Sequence, residues 1–386
     1  MPRSTEAQFE ALVSRIEDPA IRALFTWPFL AATELFDELV DAASWELLEG
    51  LGALPPPAGQ EPEALARTRG YPARALPVVR FLHGKLAGSG HLREEGGRYF
   101  PGVPPGRGSA SLAEELASRF PSAAVGTEAV RLLLDEAPAF FSGERSGEEI
   151  LFAPNRLPLW FRYFSNDNLL YEINNSLGAE ALASGLPASP AAILEIGGGC
   201  GSAAERVLAR LGPRVARYLF TEIVPTFLRR GERAARAAAA PGTAVHAARL
   251  DMTKPWSEQG VEPGAFDAVY AVNCFHVAPD LGRVLAEAEA ALSPGGVLVL
   301  SECVRPLSAA QPVYVEFLFD FLESFTGVAT DPDGRPTHGF LTASAWRTSL
   351  ARAGFGRVTL VPDVESLARA YDRFFVAAVV ARKGAP

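Results

Sequence analysis

The sequence has little of several features that would point to particular classes of protein. Its three cysteines, Cys200, Cys274 and Cys303, lie far apart and form no CxxC pair. This spacing argues against a disulfide framework or a structural zinc site. Only three of the 36 basic residues are lysines, and the arginines are scattered through a chain of net charge −9. Since a nucleic-acid surface needs concentrated positive charge, we expect no nucleic-acid partner.

Long apolar runs are also missing. No stretch has the length and apolar character of a membrane span, and the opening segment "MPRSTEAQFEALVSRIEDP" has no apolar core of the kind found in signal peptides. We therefore expect a soluble cytoplasmic protein that does not bind membranes.

The chain is long enough for two domains. It has 386 residues, of which 48% are hydrophobic, so it can bury a sizeable core. Residues 1–150 show helical patterns interrupted by turn-rich segments at 54–62 and 100–111. Between these segments a helical run is followed by "HLREEGGRYF", which predicts a hairpin turning at Gly96 and Gly97. We predict a mainly helical N-terminal or lid domain with a winged-helix-like unit, used for packing because its helix has no basic cluster.

The pattern changes at about Ala191. Short apolar runs such as "AAILEI", "RYLFTEI", "FDAVYAVN" and "GGVLVLSE" alternate with helical segments. This alternation is typical of βαβ units and predicts an α/β domain with a parallel sheet. The last two strand-like segments, "GRVTLV" and "RFFVAAVVARK", could pair antiparallel at one edge.

A glycine-rich segment, "EIGGGCG", follows the first of these predicted strands and precedes a helix. It contains Glu195, Gly197, Gly199 and Gly201, a spacing that differs from the GxGxxG of dinucleotide-binding enzymes. Glycines there allow positive φ and let a ligand reach the backbone. The carboxylate before them suits an amino-acid ammonium group better than a pyrophosphate. Taken alone, the glycines are also compatible with a tight βα turn or a nucleotide site.

Acidic residues end the next two predicted strands. Glu222 comes 21 positions after Gly201, where a carboxylate can accept both hydroxyls of a ribose. Asp251 and Met252 end the third strand and offer one polar and one apolar contact for an adenine. An ammonium, a ribose and an adenine together describe S-adenosylmethionine, which we predict as the cofactor.

Two residues at strand ends could carry the chemistry. His276 follows the fourth strand, and an imidazole can act as a base near neutral pH. Glu302 ends the fifth strand and could orient that imidazole. The alternatives are a loop histidine bound to backbone and a surface carboxylate. Asn273 could line the cofactor site or satisfy a turn, and Tyr163 is a candidate substrate contact.

Several motifs carry a resemblance to a known superfamily. The segments "ILEIGGGCG", "YLFTEIVPTFL", "LDM", "FDAVYAVNCFHVAPDL" and "LSPGGVLVLSE" resemble the successive motifs of class I S-adenosylmethionine-dependent methyltransferases. "GFLTASAWRTSLARAGF" and "YFSNDNLLYEINNSLGAEAL" resemble the C-methyltransferase domains of polyketide synthases, in which Asp is commoner than the Glu222 found here. The resemblance implies a Rossmann-like domain over 151–386 with a seven-stranded, mostly parallel sheet.

The resemblance also implies a function. It indicates C-methylation of the α-carbon of a β-ketoacyl or related natural-product substrate in polyketide biosynthesis, with a small-molecule or carrier-protein-bound acceptor. His276 would remove the proton from the carbon between two carbonyls, and Glu302 would support it. No residue is assigned as a metal ligand.

Three alternatives stay open at this point. The first is a small-molecule O-methyltransferase of the winged-helix-containing type, although His276-Val277-Ala278 differs from the "HDW"-like pattern of such enzymes. The second is metal-assisted methylation with ligands drawn from His276, Glu302, Gln311 and His338. The third is a winged-helix regulator with a degenerate cofactor domain. The oligomeric state is not predicted.

Overall fold

A computed structural model gives the structure of residues 5–187 and 189–384. The chain divides into two compact units. Unit 1 contains the residues up to Phe9 together with 26–163 and 308–327, and unit 2 contains 10–25, 164–307 and the residues from 328 onward. The sequence predicted a single boundary after residue 150. Instead the main boundary falls after Tyr163, and the chain returns to unit 1 for a further segment.

Unit 1 consists mainly of helices, as the sequence predicted for this region. The short helix α1 (Glu6–Val13) crosses the boundary between the units, and α2 (Pro19–Arg22) lies in unit 2. The helices of unit 1 are α3 (Trp27–Gly50), α4 (Pro62–Arg69), α5 (Leu76–Gly88), α6 (Ser109–Arg119), α7 (Ala124–Phe141), α8 (Gly147–Leu151), α9 (Leu157–Tyr163), α14 (Glu316–Phe319) and α15 (Glu323–Thr326).

Aromatic packing explains why the late segment 308–327 belongs to unit 1. The ring of Tyr314 lies 5.0 Å from that of Phe36, and the ring of Phe321 lies 4.7 Å from that of Phe140. Buried aromatic pairs at these separations add specific attraction to the hydrophobic effect. Such long-range contacts cannot be read from the local sequence pattern.

The predicted hairpin is present. Strands β1 (Leu92–Glu95) and β2 (Arg98–Pro101) pair antiparallel directly after α5. The two residues between them, Gly96 and Gly97, have φ values of 59° and 81°, which glycine adopts without steric cost. The order of helix and hairpin therefore agrees with the sequence expectation.

Unit 2 is an α/β domain. Its strands are β3 (Ala191–Glu195), β4 (Val215–Thr221), β5 (Ala244–Ala248), β6 (Phe266–Val272), β7 (Leu292–Cys303), β8 (Phe355–Val361) and β9 (Val376–Lys383). Its remaining helices are α10 (Leu169–Gly185), α11 (Ser202–Leu211), α12 (Pro225–Ala238), α13 (Leu281–Ala291), α16 (Ala343–Arg352) and α17 (Val364–Ala370).

The seven strands of unit 2 form one sheet in the order β5-β4-β3-β6-β7-β9-β8. The pairs from β5 through β7 are parallel, whereas β9 runs antiparallel to both β7 and β8. This arrangement confirms the predicted mostly parallel sheet with an antiparallel edge. Because the strand order reverses between β3 and β6, the crevice beyond their carboxyl ends is where this architecture binds ligands.

Helices cover the sheet, and small residues let helix α10 pack closely against the strands. Gly178 on α10 faces the sheet, and a Cβ atom there would lie 2.6 Å from the hydroxyl oxygen of Tyr270. The hydroxyl of Ser301 on β7 donates a 2.7 Å hydrogen bond to the carbonyl oxygen of Asn174 on the same helix. These contacts place α10 directly against β6 and β7.

Candidate active site

The loop between β3 and α11 has an unusual backbone conformation. Gly197, Gly199 and Gly201 have φ values of 65°, 54° and 86°. A Cβ on Gly197 would lie 2.4 Å from Cys274 Sγ, and one on Gly201 would lie 2.7 Å from the Cα of Gly231. A Cβ on Gly199 would meet nothing within 4 Å. The loop is therefore packed against protein at its two ends and open at its centre.

Glu222, directly after β4, is bonded to this loop. Its Oε2 accepts a 3.0 Å hydrogen bond from the Gly199 amide, and its Oε1 accepts a 2.8 Å bond from the Val224 amide. Burial raises the pKa of this carboxyl group above its usual range. Each carboxylate oxygen has a further lone pair, so Glu222 can still accept hydroxyl groups from a ligand beside Gly199.

Glu195 ends β3 and is buried in the sheet. Its Oε2 accepts a 2.9 Å hydrogen bond from the Tyr218 hydroxyl, whereas its Oε1 has no hydrogen-bond partner among the described residues. Burial, with a smaller contribution from the charge of Glu222, raises the pKa of Glu195 to about 8. A carboxylate this deeply buried favours a cationic partner.

The residues after β5 have partners within their own turn. Asp251 Oδ1 accepts hydrogen bonds of 3.0 Å from the Thr253 amide and 2.6 Å from its hydroxyl. These bonds lower the pKa of Asp251. Met252 is half-buried, and its carbonyl oxygen accepts a 3.3 Å bond from the Trp256 indole. The predicted adenine contacts of Asp251 and Met252 stay predictions.

Asn273 joins two strand ends. Its Oδ1 accepts a 2.8 Å hydrogen bond from the Cys303 amide, so the side chain ties the end of β6 to the end of β7. Among the described residues it alone has a positive φ without being glycine, at 44°. The predicted cofactor contact of Asn273 stays a prediction.

His276 and Glu302 lie together at the carboxyl ends of β6 and β7. His276 Nδ1 is 2.7 Å from Glu302 Oε2, and both side chains are buried. Glu302 Oε1 also accepts 3.2 Å hydrogen bonds from the amides of Cys274 and Phe275. The carboxylate thereby fixes both the imidazole and the turn that carries it.

Arg335 is a third buried residue in this region, and no sequence motif pointed to it. Its guanidinium donates hydrogen bonds to the carbonyl oxygens of His276 and, at 2.5 Å, of Ala278. The ring of Phe340 packs on the imidazole of His276 with 4.5 Å between centroids. Both residues come from "DPDGRPTHGF", a turn-rich segment whose local pattern does not indicate what it contacts.

Tyr163 lies in unit 1, where its ring packs edge-on against Trp160 and Phe319. Its role as a substrate contact stays a prediction. Of the other histidines, His83 is buried with Nδ1 2.8 Å from the Val79 carbonyl oxygen, and burial lowers its pKa. These contacts give His83 a structural role.

Within residues 5–187 and 189–384, no group of three or more His, Cys, Asp or Glu side chains is arranged to hold a metal ion. No helix in those ranges is long and apolar enough to cross a membrane.

Comparisons with known proteins identify the kind of domain to which this part of the chain is similar. Residues 194–298, which include the glycine loop and His276, match the family model of a methyltransferase domain. Polyketide synthase ThaQ from Burkholderia thailandensis is 29% identical over 242 residues, which are 59% of this chain and 11% of that synthase. The chain thus spans about a tenth or less of the length of the curated relatives it matches.

Two solved structures resemble nearly the whole chain. The CurJ carbon methyltransferase has a TM-score of 0.78 at 21% identity, with 98% of each chain covered. The trans-methyltransferase CalH, solved with SAH, has a TM-score of 0.59 at 19% identity and covers 99% of this chain and 93% of its own. Residues 194–298 thus have the sequence of a methyltransferase domain, and the chain is an enzyme that uses S-adenosylmethionine as its cofactor. Its fold is similar to that of carbon methyltransferases.

Proposed function

We propose that the protein transfers a methyl group from S-adenosylmethionine to the α-carbon of a β-ketoacyl thioester in polyketide biosynthesis. The observation that carries this proposal is the buried 2.7 Å pair of His276 and Glu302 at the ends of β6 and β7. This pair lies beside the strand-order reversal where ligands bind in this architecture. It offers a base held in one orientation, which carbon acceptors require because their proton must be removed.

The cofactor-binding residues in this proposal are Glu195, Gly199 and Glu222, with Gly197 and Gly201 shaping the loop. Oε1 of Glu195, which has no hydrogen-bond partner within the described ranges, fits a cationic ligand. The open space at Gly199 admits a ligand next to the backbone. Glu222 would accept the ribose hydroxyls. When bound, S-adenosylmethionine supplies an electrophilic methyl group whose bond to sulfur is replaced by a bond to carbon.

His276 and Glu302 would activate the acceptor. With Nδ1–H donated to Glu302, the Nε2 lone pair of His276 can take the proton from the carbon between the two carbonyls. The electron pair of that carbon–hydrogen bond then forms the new carbon–carbon bond, and the proton remains on the imidazole. The carboxylate of Glu302 stabilises this imidazolium until the proton is released.

The nature of the acceptor is inferred from the relatives. ThaQ is a polyketide synthase, and CurJ is named a carbon methyltransferase. We therefore propose an acyl acceptor carried on a pantetheine arm of a carrier protein. Tyr163 remains a proposed substrate contact.

The test is to incubate the protein with methyl-labelled S-adenosylmethionine and a β-ketoacyl pantetheine thioester, then locate the label by mass spectrometry. We expect the label on the α-carbon. A phenol of similar size serves as the comparison acceptor. Label found only on hydroxyl oxygen would show an O-methyltransferase instead. No transfer to either acceptor would contradict the proposed carbon methylation.

A further inference from the structure

The short turn that carries His276 is held on two sides. It comprises the 3-10 helix Phe275–Val277 and the residues next to it. On one side, Glu302 accepts hydrogen bonds from the amides of Cys274 and Phe275. On the other side, Arg335 donates hydrogen bonds to the carbonyl oxygens of His276 and Ala278. One acidic and one basic side chain thus bind the N–H and C=O groups of the same turn.

Arg335 is buried, with 2% of its surface exposed. Burial lowers the pKa of its guanidinium to about 10, while the negative charge of Glu302 acts in the opposite direction. The group therefore stays cationic at neutral pH. Burying a guanidinium is costly unless its bonds are well made, so a position that only filled space would favour an apolar side chain. The planar fork of Arg can reach two carbonyl oxygens at once, which an ammonium group cannot do in a fixed geometry.

The segment 329–340 brings Arg335 to the turn. It begins with a 2.8 Å hydrogen bond from the Ala329 amide to the Pro279 carbonyl oxygen and ends with Phe340 packed on the His276 ring. Asp331 and Arg335 exchange two backbone hydrogen bonds within it. This segment therefore contacts the His276 turn at its start, its middle and its end.

A second arginine anchors the same segment without reaching the turn. Arg352 on α16 is half-exposed and forms 2.8 Å ion pairs with Asp331 and Asp333. Its removal would affect the segment 329–340 but would leave the hydrogen bonds of Arg335 in place. Arg352 is therefore a matched control for Arg335.

We propose that Arg335 is a positioning residue that holds the imidazole of His276 in its reactive orientation through the main chain. The proposal rests on the proposed function, in which His276 is the base. Arg335 fixes the carbonyl groups on either side of Val277, while Glu302 binds the imidazole Nδ1 and the amides of Cys274 and Phe275. The Nε2 lone pair of His276 then points consistently toward the acceptor.

The test compares Arg335→Gln, Arg335→Lys and Arg352→Gln with the unmodified protein. Without the guanidinium hydrogen bonds of Arg335 the His276 turn can move. A displacement of about 1 Å can lower a rate by about 100-fold. We expect kcat to fall by about that factor in Arg335→Gln and by less in Arg335→Lys. Arg352→Gln should keep the original kcat. Binding of S-adenosylhomocysteine, measured by calorimetry, should be unchanged in all three.

A spectroscopic signature separates positioning from a general structural role. The Nδ1 proton of His276, held by Glu302, should give a downfield NMR resonance that exchanges slowly with solvent. In Arg335→Lys this proton should exchange faster, while the thermal midpoint stays near that of Arg352→Gln. The Lys variant keeps a buried cation, so it provides the measurement even if Arg335→Gln does not fold.

Different failures point to different conclusions. Unchanged kcat and proton exchange in a folded Arg335 variant would overturn the positioning role, as would equal losses in Arg335→Lys and Arg352→Gln. If His276→Ala retained turnover, the assignment of the base would fail instead, whatever the Arg335 variants do.

Discussion

The hydroxyl of Tyr218 donates a 2.9 Å hydrogen bond to Oε2 of Glu195 in the interior of the sheet. Both residues are fully buried, and the other carboxylate oxygen of Glu195 has no hydrogen-bond partner among the described residues. Glu222, Tyr270 and Cys274 also interact electrostatically with Glu195, and none of the three is a cation. With its pKa raised to about 8, this carboxyl group is mostly protonated at neutral pH in the ligand-free protein.

The first prediction concerns stability and pH. The pKa of Glu195 is raised from 4.5 to about 8 by folding, so the folded state binds this proton more tightly than the unfolded state. The stabilisation of the fold by this bound proton is fully present below the pKa of Glu195 in the unfolded state. It is lost as the pH rises through the pKa of Glu195 in the folded state. The free energy of unfolding of the ligand-free protein should therefore fall by a few kcal/mol as the pH rises from 4.5 to about 8. Urea denaturation at a series of pH values measures the slope of the free energy of unfolding against pH.

The control for this prediction is a second Glu→Gln change at an exposed site. Glu195→Gln should flatten the slope, whereas Glu258→Gln, on an exposed turn, should keep it. Cofactor affinity should also rise with pH in the same window, because a cation binds better to the ionised carboxylate. A slope unaffected by Glu195→Gln would contradict the assignment.

The second prediction concerns the glycine loop. Gly199→Ala places a methyl group in the open space beside Glu222 and should weaken cofactor binding while leaving the fold intact. Gly212→Ala is the matched control, because Gly212 has a similar φ of 53° and equally open surroundings at the end of α11. Calorimetry should show weaker binding for Gly199→Ala alone. Equal affinities in the two variants would exclude ligand contact at Gly199.

A second variant in the loop should behave differently. A Cβ on Gly201 would lie 2.7 Å from the Cα of Gly231, and the φ of 86° adds backbone strain. Gly201→Ala should therefore lower the free energy of unfolding by about 1–3 kcal/mol, since close-packed backbone cannot easily shift. Thermal denaturation provides the measurement, and a midpoint equal to that of Gly212→Ala would be the contrary result.

The third prediction concerns the ribose. Hydrogen bonds to a charged carboxylate are worth about 1.5–3 kcal/mol, so Glu222→Ala should weaken cofactor binding by about 10- to 100-fold. A second binding measurement uses a cofactor analogue that lacks one ribose hydroxyl. The unmodified protein should bind the analogue less well, and Glu222→Ala should lose much of this discrimination. If the variant discriminates as strongly as the original, another residue binds the ribose.

The fourth prediction concerns the base. His276→Ala should abolish methyl transfer and leave cofactor affinity nearly unchanged, because the imidazole acts on the acceptor. His246→Ala is the control, since His246 lies exposed on β5. The readout is label transfer to the β-ketoacyl thioester alongside cofactor binding. A His276→Ala variant that keeps most of its rate would remove this residue as the base.

Local sequence was sufficient for the sheet because each strand carries its own signal. Apolar runs such as 191–196 and 266–273 must be buried on both faces, and the helical segments between them force parallel connections. The glycines at 197, 199 and 201 likewise indicated a close backbone approach, and all three have the positive φ that the turn needs. The division of the chain was harder, because 308–327 joins unit 1 through aromatic contacts far apart in sequence.

The sequence by itself determined the mostly parallel sheet and the positions of Glu195, Glu222, His276 and Glu302 at strand ends, because hydrophobic periodicity and glycine chemistry are local properties. Only the tertiary structure decided which groups face one another. The Tyr218 bond to Glu195, the Asn273 bond across two strand ends and the hydrogen bonds of Arg335 to the His276 turn all join residues that are distant along the chain. No local pattern encodes such pairs, because packing alone sets the distance between them.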